Sequence, residues 1–168
     1  KILSDKTIKR YKFHINENLF GNPVLSKKYK FTSINKLHQF HHLLFLKKNT
    51  NNNFNNKNIL EIGAGYGLLS SIIFNFFKPK KIIIFDLKIF SFIQKIYLKN
   101  VLKKNIMNKF KFFNSLNLTR IFLNNNRPNI TFAMWSFSEM PIKLREQIIP
   151  IIFKSDIILI GYQSKFEN

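Results

Sequence analysis

The sequence predicts an α/β fold: a mostly parallel sheet of about five strands with helices on both faces. Three observations predict it. Residues 59–67 read Ile-Leu-Glu-Ile-Gly-Ala-Gly-Tyr-Gly, an apolar strand running into a glycine-rich turn. A largely apolar helical stretch follows over 68–77, and a second strand over 81–85 ends on Asp86, nineteen positions after Gly67. Strand, turn, helix, strand and acid in this register form a nucleotide-binding βαβ unit.

The remaining elements alternate in the same way. Residues 1–32 are basic with scattered aromatics, and Gly21-Asn22-Pro23 marks a turn. Ser33 is placed to cap a helix over 34–47, where Ile34, Leu37, His41 and Leu44 share one face. Residues 49–58 are nearly all asparagine and read as a solvated linker. The domain proper is expected over 59–168, with residues 1–48 as a helical or irregular extension. Pro79 closes the first helix. A helix is expected over 89–103, a third strand over 109–113 with Phe at alternate positions, and a short helix over 117–123. The fourth strand is expected over 130–135, a helix over 142–153 after Pro141, and the fifth strand over 156–162. The fifth would be an edge strand needing cover.

The glycine spacing discriminates between ligands. A dinucleotide fingerprint counted from Gly63 would put its third glycine at 68, which is Leu68, and no Lys-Ser/Thr pair of a phosphate loop follows the turn. The pattern is instead E-x-G-x-G-x-G with a distal acid, that of S-adenosylmethionine-dependent methyltransferases. It implies a Rossmann-like sheet of order 3-2-1-4-5. That sheet usually has seven strands, so the last two are expected to be missing. The turn would hold the cofactor through Gly63, Ala64, Gly65, Tyr66 and Gly67. Asp86 and Leu87 would serve its ribose, with a surface acid or helix cap as the other reading of Asp86. Glu61 either reaches the methionine amino group or braces the turn. Asn114 and Ser115 stand where an adenine contact is made.

Net charge is +20, from 28 Lys and Arg against 8 Asp and Glu in 168 residues. The first inference is a polyanion partner. The lysines are scattered, though, and Lys, Asn, Ile and Phe are enriched together, as A/T-rich codons would produce; compositional bias is favoured over dedicated nucleic-acid binding. The absence of cysteine excludes disulfides and cysteine–zinc sites. No apolar run reaches the ~18–20 residues of a membrane span, and a cytoplasmic location is expected. The chain begins at Lys1 rather than Met, so a missing amino end is expected.

The segment after the fourth strand is Trp135-Ser136-Phe137-Ser138-Glu139-Met140-Pro141. Ligands of open α/β sheets sit beyond the strand carboxyl ends at the switch in strand order, which places Ser136, Ser138 and Glu139 near the reacting atoms. Amino-methyltransferases acting on bases carry Asn/Asp-Pro-Pro-aromatic here; its absence favours O-methylation. The reaction needs a group to take the hydroxyl proton. Glu139 is one candidate; the others are histidines, His42 foremost. His38 and His42 are i, i+4 neighbours, a spacing that also suits metal binding. A half-exposed surface role competes for both, and no metal site is assigned.

Glu61-Ile-Gly-Ala-Gly-Tyr-Gly-Leu-Leu, Asp86-Leu87 with Gln94 and Tyr97-Leu98, and Ser136-Phe137-Ser138-Glu139-Met140 together resemble the sugar O-methyltransferase family over about residues 57–163. The resemblance implies a bacterial protein and methyl transfer from S-adenosylmethionine to a sugar or glycan hydroxyl, often in surface polysaccharide synthesis. It also implies cofactor contacts at Glu61, Gly63, Gly65 and Asp86. The family commonly has Pro-Glu after Asp-Leu, where this chain has Lys88-Ile89. An RNA methyltransferase and a truncated, non-catalytic methyltransferase-like protein are the alternatives.

Overall fold

The computed structural model describes residues 3–50, 53–102 and 104–162, with nothing stated for the Lys104 side chain. Asn51 and Asn52 of the asparagine tract and Lys103 of the expected helix 89–103 lie outside the described residues.

Five strands form one sheet of order β3-β2-β1-β4-β5: β1 (Asn58–Ile62), β2 (Lys81–Phe85), β3 (Phe110–Phe113), β4 (Ile130–Met134) and β5 (Ile157–Gly161). Every pairing is parallel. The three inner strands are near-continuous apolar runs because helices cover both faces. On one face, Ile59, Ile82, Ile84 and Phe132 pack under α2 (Lys12–Ile15), α3 (Ile34–Thr50), α4 (Leu68–Phe77) and α5 (Lys88–Val101). On the other, Leu60, Ile62, Ile83 and Ala133 pack against α6 (Leu116–Asn125) and α8 (Ile142–Ile152).

The segment before the sheet is integral to the first core. Ile8 of α1 (Asp5–Arg10), Ile15, Leu37, Phe40 and Leu43 are buried in the same cluster as Ile59. That packing explains why α4 is apolar nearly all round: it lies between the sheet and α2–α3, leaving it little polar face. His14, which sequence could not place, packs edge-on to Phe76 at 5.1 Å and stacks on Phe40 at 6.3 Å.

Most element ends lie within two residues of expectation, and two of the differences have a clear physical cause. Helix α3 continues to Thr50, into the asparagine tract, because asparagine side chains there stay in water while Leu46 holds the last turns to the core. Within the rest of that tract Phe54 is buried against Phe77, ring centroids 4.5 Å apart. Strand β4 ends at Met134, one residue early, because Trp135 turns away with φ +61. The edge position of β5 is as expected, and its residues are only half-buried. No described helix is long and apolar enough to cross a membrane.

Candidate functional site

The order 2-1-4 puts the switch point between β1 and β4, and both strands end at the same lip of the sheet. Three glycines leave β1 with left-handed backbone, at φ +69, +56 and +99 for Gly63, Gly65 and Gly67. Their reasons differ. A Cβ on Gly63 would lie 2.1 Å from Ser136 Cβ, so this glycine lets the end of β4 close onto the end of β1. Gly65 has open space beyond its α-carbon, with nothing within 4 Å. Gly67 opens α4 and packs on Leu98 and Gln94.

Ser136 completes the closure by donating its hydroxyl to the Ile62 carbonyl at 2.6 Å. It opens the short helix α7 (Ser136–Glu139), swung into place by the positive φ of Trp135. A bulky residue in that conformation is strained, and such strain clusters at functional sites.

The Asp86 carboxylate sits at the tip of β2. One oxygen accepts from Leu87 N–H at 2.8 Å; the other accepts from Gly65 N–H at 3.2 Å and Gln94 Nε2 at 2.8 Å. Gln94 also donates to the Gly65 carbonyl at 2.8 Å. Carboxylate, glutamine and turn therefore form one network. Partial burial raises the Asp86 pKa, against the pull of those donors. Gln94 is fully buried at a core-facing position of α5, and its Oε1 has no partner. Gln94 entered the sequence reading only through the family resemblance; a polar residue in helical register with Leu98, on the buried face of α5, was the available signal.

A cleft of about 730 Å³ opens at this lip. The structure brings Gly63, Gly65, Asp86, Leu87, Asn114, Ser115, Ser136 and Glu139 to its walls. Other wall residues, Phe90, Met140, Leu144 and Gln147 among them, were not anticipated as site residues. Ser115 caps α6, accepting from Leu118 N–H at 3.5 Å. Ser138 is outside the lining: its hydroxyl donates to the Trp135 carbonyl at 2.7 Å and its own carbonyl accepts from Arg145. Tyr66 turns the other way, edge-on to Tyr97 at 4.9 Å and bonded to Asn35.

His42 also lies outside the cleft lining, packed edge-on to Trp135 at 5.5 Å with His38 beside it at 4.9 Å. Burial pushes the His42 pKa down to about 4, helped by the neighbouring His38 and His41. It is neutral at pH 7, with Nε2 buried and unpartnered. Among the described residues no group of three or more His, Asp or Glu is arranged to hold a metal.

Glu61 points to the opposite face from Leu60 and Ile62 and is buried under α4, where it accepts from the Ser70 hydroxyl. Burial raises its pKa from 4.5 to about 7, with the Asp86 charge adding and Ser70 opposing. Folding therefore favours the protonated acid. That contribution is complete below pH 4.5 and is lost as pH rises through 7. The expected decline is on the order of 3 kcal/mol. Urea unfolding of Glu61→Gln should show a smaller fall in stability between pH 5 and 8 than the parent chain. Parallel declines in the two proteins would contradict this reading.

The chain has the Rossmann-like fold of class I methyltransferases. It is similar to a structure assigned as a sarcosine dimethylglycine methyltransferase from Galdieria sulphuraria, with TM-score 0.56 and 14% identity over 87% of this chain and 56% of that one. Coclaurine N-methyltransferase, bound to N-methylheliamine and SAH, gives TM-score 0.56 and 9% identity over 90% of this chain and 43% of that one. A protein assigned as an RNA methyltransferase from Pyrococcus horikoshii gives TM-score 0.51 and 19% identity over 77% and 59%. The chain thus spans 43% to 59% of these relatives' lengths. No family model and no curated protein matches the sequence.

Proposed function

We propose that this chain is an S-adenosylmethionine-dependent O-methyltransferase acting on a hydroxyl of a sugar or glycan. The observation that carries the reading is the open Gly65 turn facing the same cleft as the Asp86 carboxylate at the sheet's switch point. The residues fit the cofactor. The space above Gly65 admits a ligand against bare backbone, and Asp86 offers a carboxylate to a ribose diol. Asn114 and Ser115 stand beside the place for a purine, and Leu87 and Phe90 supply apolar walls. Coclaurine N-methyltransferase, with its bound SAH, has this fold around the demethylated cofactor. When bound, S-adenosylmethionine supplies an electrophilic methyl on a positively charged sulfur.

The protein's part is alignment and proton removal. A hydroxyl held in line with the methyl needs a base, and Glu139 is the exposed carboxylate on the cleft wall. Met140, Pro141 and Leu144 give the wall beside it an apolar surface. The sequence Trp135-Ser136-Phe137-Ser138 does not supply the acceptors that hold a planar exocyclic amine, which favours oxygen over nitrogen as acceptor. The sugar class rests on the resemblance of these motifs. Glu139→Gln should lower kcat about 10²–10⁴-fold while cofactor affinity stays the same. Methyl transfer to a panel of free and nucleotide-linked sugars from tritiated cofactor tests the reaction. A folded, cofactor-binding protein that methylates none of them would refute the sugar assignment.

A further inference from the structure

A second hollow, about 860 Å³, lies away from the strand ends, between α1–α2 and the outer surfaces of α4 and α5. Lys9, Arg10 and Lys12 line it, and among the described residues none of the three is in a salt bridge. Glu17 is the only carboxylate on its walls. That acid is already neutralised: its side chain is 3% exposed, it stands 3.4 Å from Lys36 Nζ, and it accepts from Ser33 N–H. Lys36 in turn donates to the Asn16 carbonyl at 2.7 Å. The floor is thus a fixed, charge-balanced pair, and the rim carries the unbalanced positive charge. The side-chain amides of Asn16, Asn18 and Asn75 add hydrogen-bonding groups.

Aromatic surface accompanies this charge. Phe13 is 88% exposed on the same rim, so its ring face is free to stack on a planar ligand. The hollow does not stop there. A smaller apolar pocket of about 400 Å³ shares Glu17, Asn18 and Tyr97 with it and ends on Tyr66 of the glycine turn. The two hollows adjoin at these shared residues and together carry cations, side-chain amides and aromatic faces. A chain of phosphates with unpaired bases matches that combination of groups: cations track the backbone, and rings stack on bases without reading them.

We infer that this groove binds single-stranded nucleic acid through its phosphates and unpaired bases. The site does not depend on methyl transfer, and its test uses no cofactor.

Fluorescence anisotropy with a short labelled uridine strand, a thymidine strand of equal length and a matched duplex is the test. Lys9→Ala, Arg10→Ala and Lys12→Ala combined should weaken the uridine strand at least tenfold at moderate salt. The same triple should flatten the slope of log affinity against log salt by about 2, near 0.7 for each phosphate that is no longer neutralised. Phe13→Ala, at a fully accessible position that the fold does not need, should weaken single strands about tenfold and the duplex little. Tighter uridine than thymidine binding would identify RNA as the source; equal binding would mean that backbone and bases alone are recognised. The control removes equal charge elsewhere, with Lys57, Lys80 and Lys154 changed to alanine near the amino ends of β1, β2 and β5. Equal losses in the two triples would show diffuse charge rather than a groove and overturn the proposal. So would no binding by the folded parent, or a Phe13→Ala protein indistinguishable from it.

Discussion

Asp86→Ala is expected to reduce S-adenosylmethionine affinity by about 10²-fold or more, close to abolition in a calorimetric titration. A ribose diol would give this carboxylate two hydrogen bonds, and bonds to charged groups contribute about 1.5–3 kcal/mol each. The loss has a second source. The same carboxylate accepts from Gly65 N–H and from Gln94, so its removal leaves the turn itself unbraced. Asp86→Asn separates the two effects: the amide retains one acceptor oxygen for the turn but loses the charge. It should bind more weakly than the parent and more tightly than the alanine variant. Trp135, the only tryptophan and adjacent to Ser136 on the cleft wall, provides a fluorescence readout for each titration. A folded Asp86→Ala protein with parental affinity would remove the physical basis of the cofactor site.

Gly63→Ala should severely destabilise the chain, by about 2–5 kcal/mol: left-handed backbone costs a non-glycine residue about 1–2 kcal/mol, and overpacking about 1–3 more. The new methyl group would stand 2.1 Å from Ser136 Cβ, at a place where β1 and β4 are locked together. Ser136→Gly removes the clashing atom, so the double variant should recover much of the loss in thermal denaturation. Gly65→Ala provides the contrast. Its Cβ meets nothing, so the stability cost should be only the backbone penalty of about 1–2 kcal/mol. Its methyl would nevertheless stand in the open space beside the cleft, so binding should fall far more than stability. Equal stability costs at the two glycines would show that the close approach at Ser136 does not hold the lip together.

The sheet was legible because the signals are local. An apolar strand, a glycine turn and a terminal acid lie within 59–86, and parallel strands separated by helices leave few ways to close a core. The cofactor-side residues were legible for the same reason: Gly63, Gly65, Asp86, Ser115 and Ser136 each follow closely on a strand, and the strand ends define the cleft. The fate of the polar side chains was less legible. Glu61 reads as a site acid on spacing, yet the alternation of a buried strand aims it under α4 at Ser70. Ser138 reads as a site hydroxyl, yet one turn of α7 returns it to the Trp135 carbonyl. His42 reads as a base, yet α3 presents it to Trp135.

Periodicity and the glycine-acid spacing were enough for the α/β class and for the strand ends where the cleft opens, because those follow from chain-local sterics and hydrophobic alternation; the strand order followed only from the likeness of the motif to methyltransferases. They were silent on anything that needs two distant segments to meet. The fit of Gly63 to Ser136 joins residues far apart in sequence, and the Asp86–Gln94–Gly65 network joins a strand tip, a helix and a turn. Lys9, Arg10, Lys12 and Phe13 are neighbours in sequence, but the hollow they line exists only because α1 and α2 dock on α4 and α5, which supply Ser71, Asn75, Tyr97 and Val101 as the facing wall. Such meetings are set by how the apolar faces pack, and packing is a property of the whole core rather than of any window of sequence.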